Sequence, residues 1–134
     1  MDNGNGVFTI DGVDLRVWVT GLKRGFAVTD SEHSGRLQNY EMYRDVIGTF
    51  YNYTLTIEPD SNYRADYDTF YDIVSAPTPF HDMVFPYGQT TIAFKAYVTS
   101  GDDDDKPIKE GDNQVHRWSG LSVQFIAKAP QRRP

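Results

Sequence analysis

The chain contains no cysteine, which excludes disulfides, thiolate nucleophiles, Cys-ligated zinc and iron–sulfur clusters together. No apolar run approaches the ~20 residues that a membrane-crossing helix needs, so no membrane partner is expected. Histidine is scarce. His33, His81 and His116 are the three present, and no two stand at the i, i+4 spacing that places metal ligands on one helix face. There is no G-x-S-x-G nucleophile elbow, no phosphate loop and no dinucleotide fingerprint. The acidic run Asp102–Asp105 lacks the alternating ligand spacing of a calcium loop. No catalytic residue, metal site or cofactor is therefore expected. Cations are also in the minority, with 13 Lys and Arg against 19 Asp and Glu and a net charge of −6. Nucleic-acid affinity comes mainly from cations neutralising phosphates, so no specific nucleic-acid partner is expected.

What remains is a chain of 134 residues, the usual size of one domain, and its patterning is that of strands. Met1 to Gly6 is Gly-rich and acidic, expected as a flexible leader and unlike a secretion signal. Val7-Phe8-Thr9-Ile10, the turn pair Asp11-Gly12 and the alternating Val13, Leu15, Val17 and Val19 predict an N-terminal β-hairpin. Gly21 and Gly25 interrupt this pattern before a short strand at Phe26–Thr29. The strongest strand follows: Ile47, Thr49, Tyr51, Tyr53, Leu55 and Ile57 share one face, opposite a mostly polar one.

Pro59-Asp60-Ser61 ends that strand and is expected to cap a helix over about 62–75. Tyr63, Tyr67, Phe70, Tyr71 and Val74 fall on one stripe of it, and Pro77 and Pro79 stop it. A second hairpin, Phe80–Phe85 with Thr91–Val98, turns around Pro86-Tyr87-Gly88-Gln89. Ser100–Asn113 is acidic and unpatterned, expected as a mobile loop. The last strand, within Val115–Ala127, turns Leu121, Val123, Phe125 and Ala127 inward. The fold class expected is mainly β: a β-sandwich or partly open barrel of about six to eight antiparallel strands with one amphipathic helix packed over it. One β-rich domain spans residues 7–128, with a short basic tail at 129–134.

Several stretches together carry a family resemblance: Phe8-Thr9-Ile10-Asp11-Gly12-Val13, the loop Thr29-Asp30-Ser31-Glu32-x-Ser34-Gly35-Arg36, Met42-Tyr43-Arg44-Asp45-x-Ile47-Gly48-Thr49, Tyr51-x-Tyr53 and the Pro86-Tyr87-Gly88 turn. In these the chain resembles small tail structural proteins of siphoviruses and prophages of Gram-positive, gut-type bacteria. Its opening strand and Asp-Gly turn are similar to the N-terminal domain of distal tail proteins, and no counterpart of the second domain of a full distal tail protein is expected within these residues. The resemblance implies a non-enzymatic subunit of the tail tip or baseplate. Its partners would be copies of itself, in rings that are commonly hexameric, and neighbouring tail-tube, tape-measure or baseplate proteins. It would reside in the virion tail and, during assembly, in the host bacterial cytoplasm.

A long polar connection inside a compact domain is often functional, and a ring subunit needs edges or loops that lock onto its neighbours. Like Ser100–Asn113, the segment Asp30–Asp45 is such a connection. Its candidate subunit-contact residues are Asp30, Glu32, Arg36, Tyr43, Arg44 and Asp45, the charged groups for ion pairs and Tyr43 for apolar area. An acidic surface could also line a bore and repel DNA phosphates. The alternative is a carbohydrate-binding or adhesin-like module, using exposed rings among Trp18, Trp118, Tyr40 and Tyr97. A third reading, a small hydrolase, requires a deep cleft holding His81 or His116 beside a carboxylate.

Overall fold

The computed structural model describes residues 5–30, 35–36 and 42–133. In chain order its elements are β1 (Thr9–Ile10), β2 (Val17–Asp30), β3 (Gly35–Arg36), β4 (Met42–Tyr43), β5 (Val46–Pro59), α1 (Arg64–Val74), β6 (His81–Tyr87), β7 (Thr90–Tyr97), β8 (Gly101–Asp105), β9 (Ile108–Glu110), β10 (Asn113–Val115) and β11 (Trp118–Ala127). The fold is mainly β and antiparallel, with one helix, as the period-2 patterning predicts. Its main sheet has seven strands in the order β1-β6-β7-β11-β5-β2, with β8 paired to β11.

This sheet is folded over on itself. β6 and β5 stand three places apart in the strand order, yet the rings of Phe85 on β6 and Tyr53 on β5 stack with centroids 4.3 Å apart and planes 8° from parallel. The fold line is the junction of β7 with β11, where only Tyr97 with Ile126 and Ala96 with Ala127 are paired. One layer is thus β1, β6 and β7, the other β11, β5 and β2, and α1 closes the core with Tyr67, Phe70 and Val74. Phe85 is the hub: Phe125, Phe94 and Phe8 lie at 5.5, 5.9 and 6.5 Å from it. The predicted inward residues Tyr51, Tyr53, Leu55, Ile57, Leu121, Val123, Phe125 and Ala127 are all buried. Ile47, assigned to the same face as Tyr51, is exposed; the ladder shifts register there, Thr29 pairing with Gly48 and Asp30 with Val46, so Ile47 falls at a bulge.

Four local expectations are corrected. The Asp11-Gly12 turn forms, with φ of 51° and 77° and reciprocal Ile10–Val13 bonds. Its two arms nevertheless go to different partners, Thr9 and Ile10 to Val84 and Met83 of β6 and β2 to β5. The glycines at 21 and 25 do not end a strand, and Val17–Asp30 is continuous. Gly21 adjoins a bulge in the ladder, and a Cβ on Gly25 would lie 2.8 Å from Asn52 Oδ1. Asp60 does not cap α1. Its carboxylate accepts the Asn62 N–H at 3.0 Å, and the N-cap is Tyr63, with no side-chain bond. In place of a cap, Asp66 in the first turn accepts the Arg16 N–H at 2.8 Å and ties the helix to the entry of β2.

The fourth correction is Ser100–Asn113, which contains β8 and β9 rather than a loop. Aspartate is a poor strand former, which is why the run looks unstructured in sequence. Here alternate carboxylates find donors: Asp103 accepts from the Tyr67 hydroxyl, and Asp105 from His116 and the Arg117 N–H.

Two predictions follow from the core and the first turn. Phe85→Ala removes the hub and should cost about 3–5 kcal/mol in chemical denaturation. The second concerns Asp11, which accepts from His81 Nδ1 at 2.7 Å and from the Asp82 N–H at 2.8 Å. Burial raises the pKa of this carboxyl, but those two bonds and the charges of His81 and Lys95 outweigh it and leave a net depression. A depressed carboxyl stabilises the fold above its unfolded pKa and loses that contribution as pH falls through the folded value. Thermal unfolding should therefore show stability declining below about pH 4, with a shallower decline in Asp11→Asn, a residue that tolerates the positive φ.

Candidate functional site

β2 and β5 form a long two-stranded arm. They pair from Val17 with Pro59 to Asp30 with Val46, and the chain goes on to the short pair Gly35 with Tyr43 and Arg36 with Met42. Directly opposed residues share a face. Beyond the bulge at Val19/Gly21, Leu22, Arg24, Phe26 and Val28 oppose Leu55, Tyr53, Tyr51 and Thr49, so they continue the core-facing side of the sheet. The opposing layer ends first, and Phe26 is left 70% exposed and Val28 42%. β2 is also the last strand of the sheet. Among the described residues, no strand pairs with its outer edge.

Of the predicted contact residues, Asp30 and Arg44 hold each other at the neck of the arm. Arg44 Nη2 donates to Asp30 Oδ1 at 2.8 Å, and its Nε reaches both carboxylate oxygens at 3.0 and 3.1 Å. These bonds, and then the charge of Asp30, raise the Arg44 pKa further above its ordinary value. Asp45 follows Arg44 and is exposed. Arg36 and Tyr43 lie on β3 and β4, with side chains outside the described residues, as is all of Glu32.

The exposed inner face of the arm forms one wall of a groove of about 430 Å³ lined by Arg24, Gly25, Phe26, Val28, Thr49, Tyr51, Tyr87 and Arg132. Arg132 is there because the chain beyond β11 turns back along β5: the Thr49 N–H donates to Arg132 O and the Gln131 N–H to Thr49 O, both at 2.8 Å. Gly48 makes this possible, since a Cβ there would lie 2.5 Å from Arg132 O and 2.7 Å from Pro130 Cβ. The Tyr51 and Tyr87 hydroxyls are 3.0 Å apart, and Arg24 Cζ lies 5.5 Å from the Tyr87 ring centroid. The hydrogen bond with Tyr87, helped by Arg132 and Arg24, holds the Tyr51 hydroxyl below the usual phenol range although burial opposes this. Two guanidinium groups, two phenols and uncovered apolar area give this groove a chemistry complementary to anionic, partly apolar surface.

A second groove, of about 290 Å³, opens beside the helix between Tyr67, Asp68, Tyr71, Asp72, Asp103 and Trp118. The Tyr67 hydroxyl donates to Asp103 Oδ2 at 2.9 Å. Burial, and then that carboxylate, push the Tyr67 pKa well up. Trp118 is 47% exposed and Tyr71 41%, so this groove is aromatic and acidic where the first is aromatic and basic. Trp118 opposes Asp105 on β8, which puts it on the helix side of the sheet with Asp103. Trp18 alternates with the buried Val17 and faces the other way. Tyr97 is half-buried, and Tyr40 lies outside the described residues.

His81 and His116 make no cleft of this kind, and His33 lies outside the described residues. His81 is buried against Asp11, with Thr78 Oγ1 3.5 Å from its Nε2, and His116 is exposed with Nδ1 2.6 Å from Asp105 Oδ2. Neither lines either groove. Among the described residues, no three His, Asp or Glu side chains form a group that could hold a metal ion, and no helix is long and apolar enough to cross a membrane. Sequence reasoning missed Arg24 and Arg132: a bulge decides the face of the first and a backbone pairing the position of the second. The one available signal was Gly48, an interruption inside the best strand.

Comparison of the chain with protein-family models and with curated proteins finds no match.

Gly48→Ala should displace the segment that carries Arg132. With its Arg132 acceptor lost, a bond worth about 1 kcal/mol, the Thr49 amide should exchange with solvent roughly fivefold or more faster. Amides in the centre of β5 should be unaffected, as hydrogen-exchange NMR would show.

Proposed function

We propose that this chain is a non-enzymatic structural subunit that associates with copies of itself, and that its assembly is a phage or prophage tail, at the tip or baseplate. The observation that carries the reading is the arm. The core face of a fourteen-residue edge strand continues past its own domain and leaves Phe26 and Val28 uncovered. Long, unprotected edges with apolar side chains are normally blunted in monomeric proteins, because they template pairing with another chain. Uncovered apolar area beside arginine is also the composition favoured at the centres of interfaces. The tail assignment itself rests on the motif resemblance, several of whose stretches fall on the arm and its tip.

The carbohydrate-binding alternative asked for two of Trp18, Trp118, Tyr40 and Tyr97 exposed on one surface. Trp18 and Trp118 stand on opposite sides of the sheet, which favours the assembly reading.

Sedimentation velocity over a concentration series should give species larger than the monomer, and negative-stain images should resolve them as closed rings. Phe26→Asp combined with Val28→Asp should shift the population towards monomer. A chain that stays monomeric at every concentration, and binds no tail protein, would overturn the reading. The gene neighbourhood tests the identity of the assembly: a tape-measure gene nearby is expected, and a setting without other tail genes would remove that part of the reading.

A further inference from the structure

The two grooves lie at opposite ends of β5. The basic one is centred on Thr49 and Tyr51. The acidic one adjoins the end where Ile57 pairs with Leu121. Strand residues advance about 3.3 Å each, which places the two roughly 25 Å apart. Among the described residues, neither groove is neutralised. Arg24 and Arg132 at one end, and Asp68 and Asp72 at the other, make no ion pair among the described residues. Each groove also keeps large exposed rings or apolar groups, Phe26 in the first and Trp118 and Tyr71 in the second.

We propose that copies of this chain meet head to tail, the basic arm groove of one receiving the acidic, Trp118-bearing helix face of the next. The proposal rests on the self-association reading above and specifies its polarity. A two-fold contact centred on either groove would bring that groove against its own charge. A head-to-tail contact pairs guanidinium with carboxylate and places arginine against aromatic faces. Because the two surfaces are different patches, every added copy exposes a fresh one, and the assembly ends only by closing into a ring or else grows as a filament. The complementarity is local: the chain as a whole is acidic, with a net charge of −6, and without the basic groove copies would repel.

The test is a charge swap. One variant carries Arg24→Glu with Arg132→Glu, the other Asp68→Arg with Asp72→Arg. All four residues are exposed, so far-UV circular dichroism and thermal melting should match the parent. Each variant alone should associate at least tenfold more weakly, the scale of close interfacial charge pairs. An equimolar mixture should recover association, since each variant then offers the patch that the other lost. Raising the salt to about 0.5 M should weaken the parent assembly through screening. If both variants assemble like the parent, or the mixture of folded variants fails to recover, head-to-tail pairing through these grooves is overturned while self-association stands. A parent that is monomeric throughout overturns both.

Discussion

The stack of Phe85 on Tyr53 is the contact through which one folded-over sheet becomes two layers with a core between them. Strand pairing alone cannot supply this, since at the fold line β7 and β11 share only two residue pairs. The ring of Tyr53 faces Phe85 while its hydroxyl donates to Pro86 O at 3.0 Å, so a single side chain satisfies both an apolar and a polar requirement of the junction. Tyr51 repeats the arrangement one step along with Tyr87, edge to face at 5.5 Å. The crossing from β5 to β6 is thus made by paired aromatics whose polar ends meet at the rim of the core. Beyond Tyr51 the second layer stops, and the arm begins there.

That boundary explains why one strand face serves two purposes. Leu55 and Tyr53 are almost completely buried, while Val28, opposite Thr49 on the same face, is uncovered. The backbone does not change between them; what changes is whether β6 lies across. The arm is therefore apolar by continuation of the core pattern. It is basic because Arg24 falls on the inner face and because the chain after β11 brings in Arg132. The neck is held by the Arg44–Asp30 fork, an exposed pair whose value lies more in fixing geometry than in free energy.

Much of this was legible in the sequence, for a physical reason. Alternation in Tyr51–Ile57 and Leu121–Ala127, and the stripe Tyr67, Phe70, Val74, reflect burial, and burial is what the period of hydrophobicity records. Three kinds of information were not recorded there. Partner choice was one: the Asp11-Gly12 turn forms as its residues demand, but which strand Thr9 and Ile10 join depends on a bond from Asp11 to the backbone of β6. Phase was another, since the bulge beside Gly21 moves Arg24 to the inner face, a shift of one residue that alternation cannot foresee. Compensation was the third. Asp102–Asp105 makes a strand because Tyr67 and His116, remote in sequence, supply donors. The candidate contact residues were sought at the tip, where charge was conspicuous, whereas both grooves draw on side chains scattered over distant elements.

The place of β11 also has a bearing on how the molecule comes to exist. It lies between β7 and β5 and pairs with both, yet it is laid down after either of them. Until it is made, the β6–β7 hairpin and the β2–β5 arm have no strand to join them, and β5 presents an open edge along its whole length. Contacts that wait on so distant a segment slow folding and lengthen the life of incomplete, sticky forms. A chain built this way depends on being kept apart from its siblings while it is being synthesised. In cells making many copies at once, that interval is when chaperones would matter most.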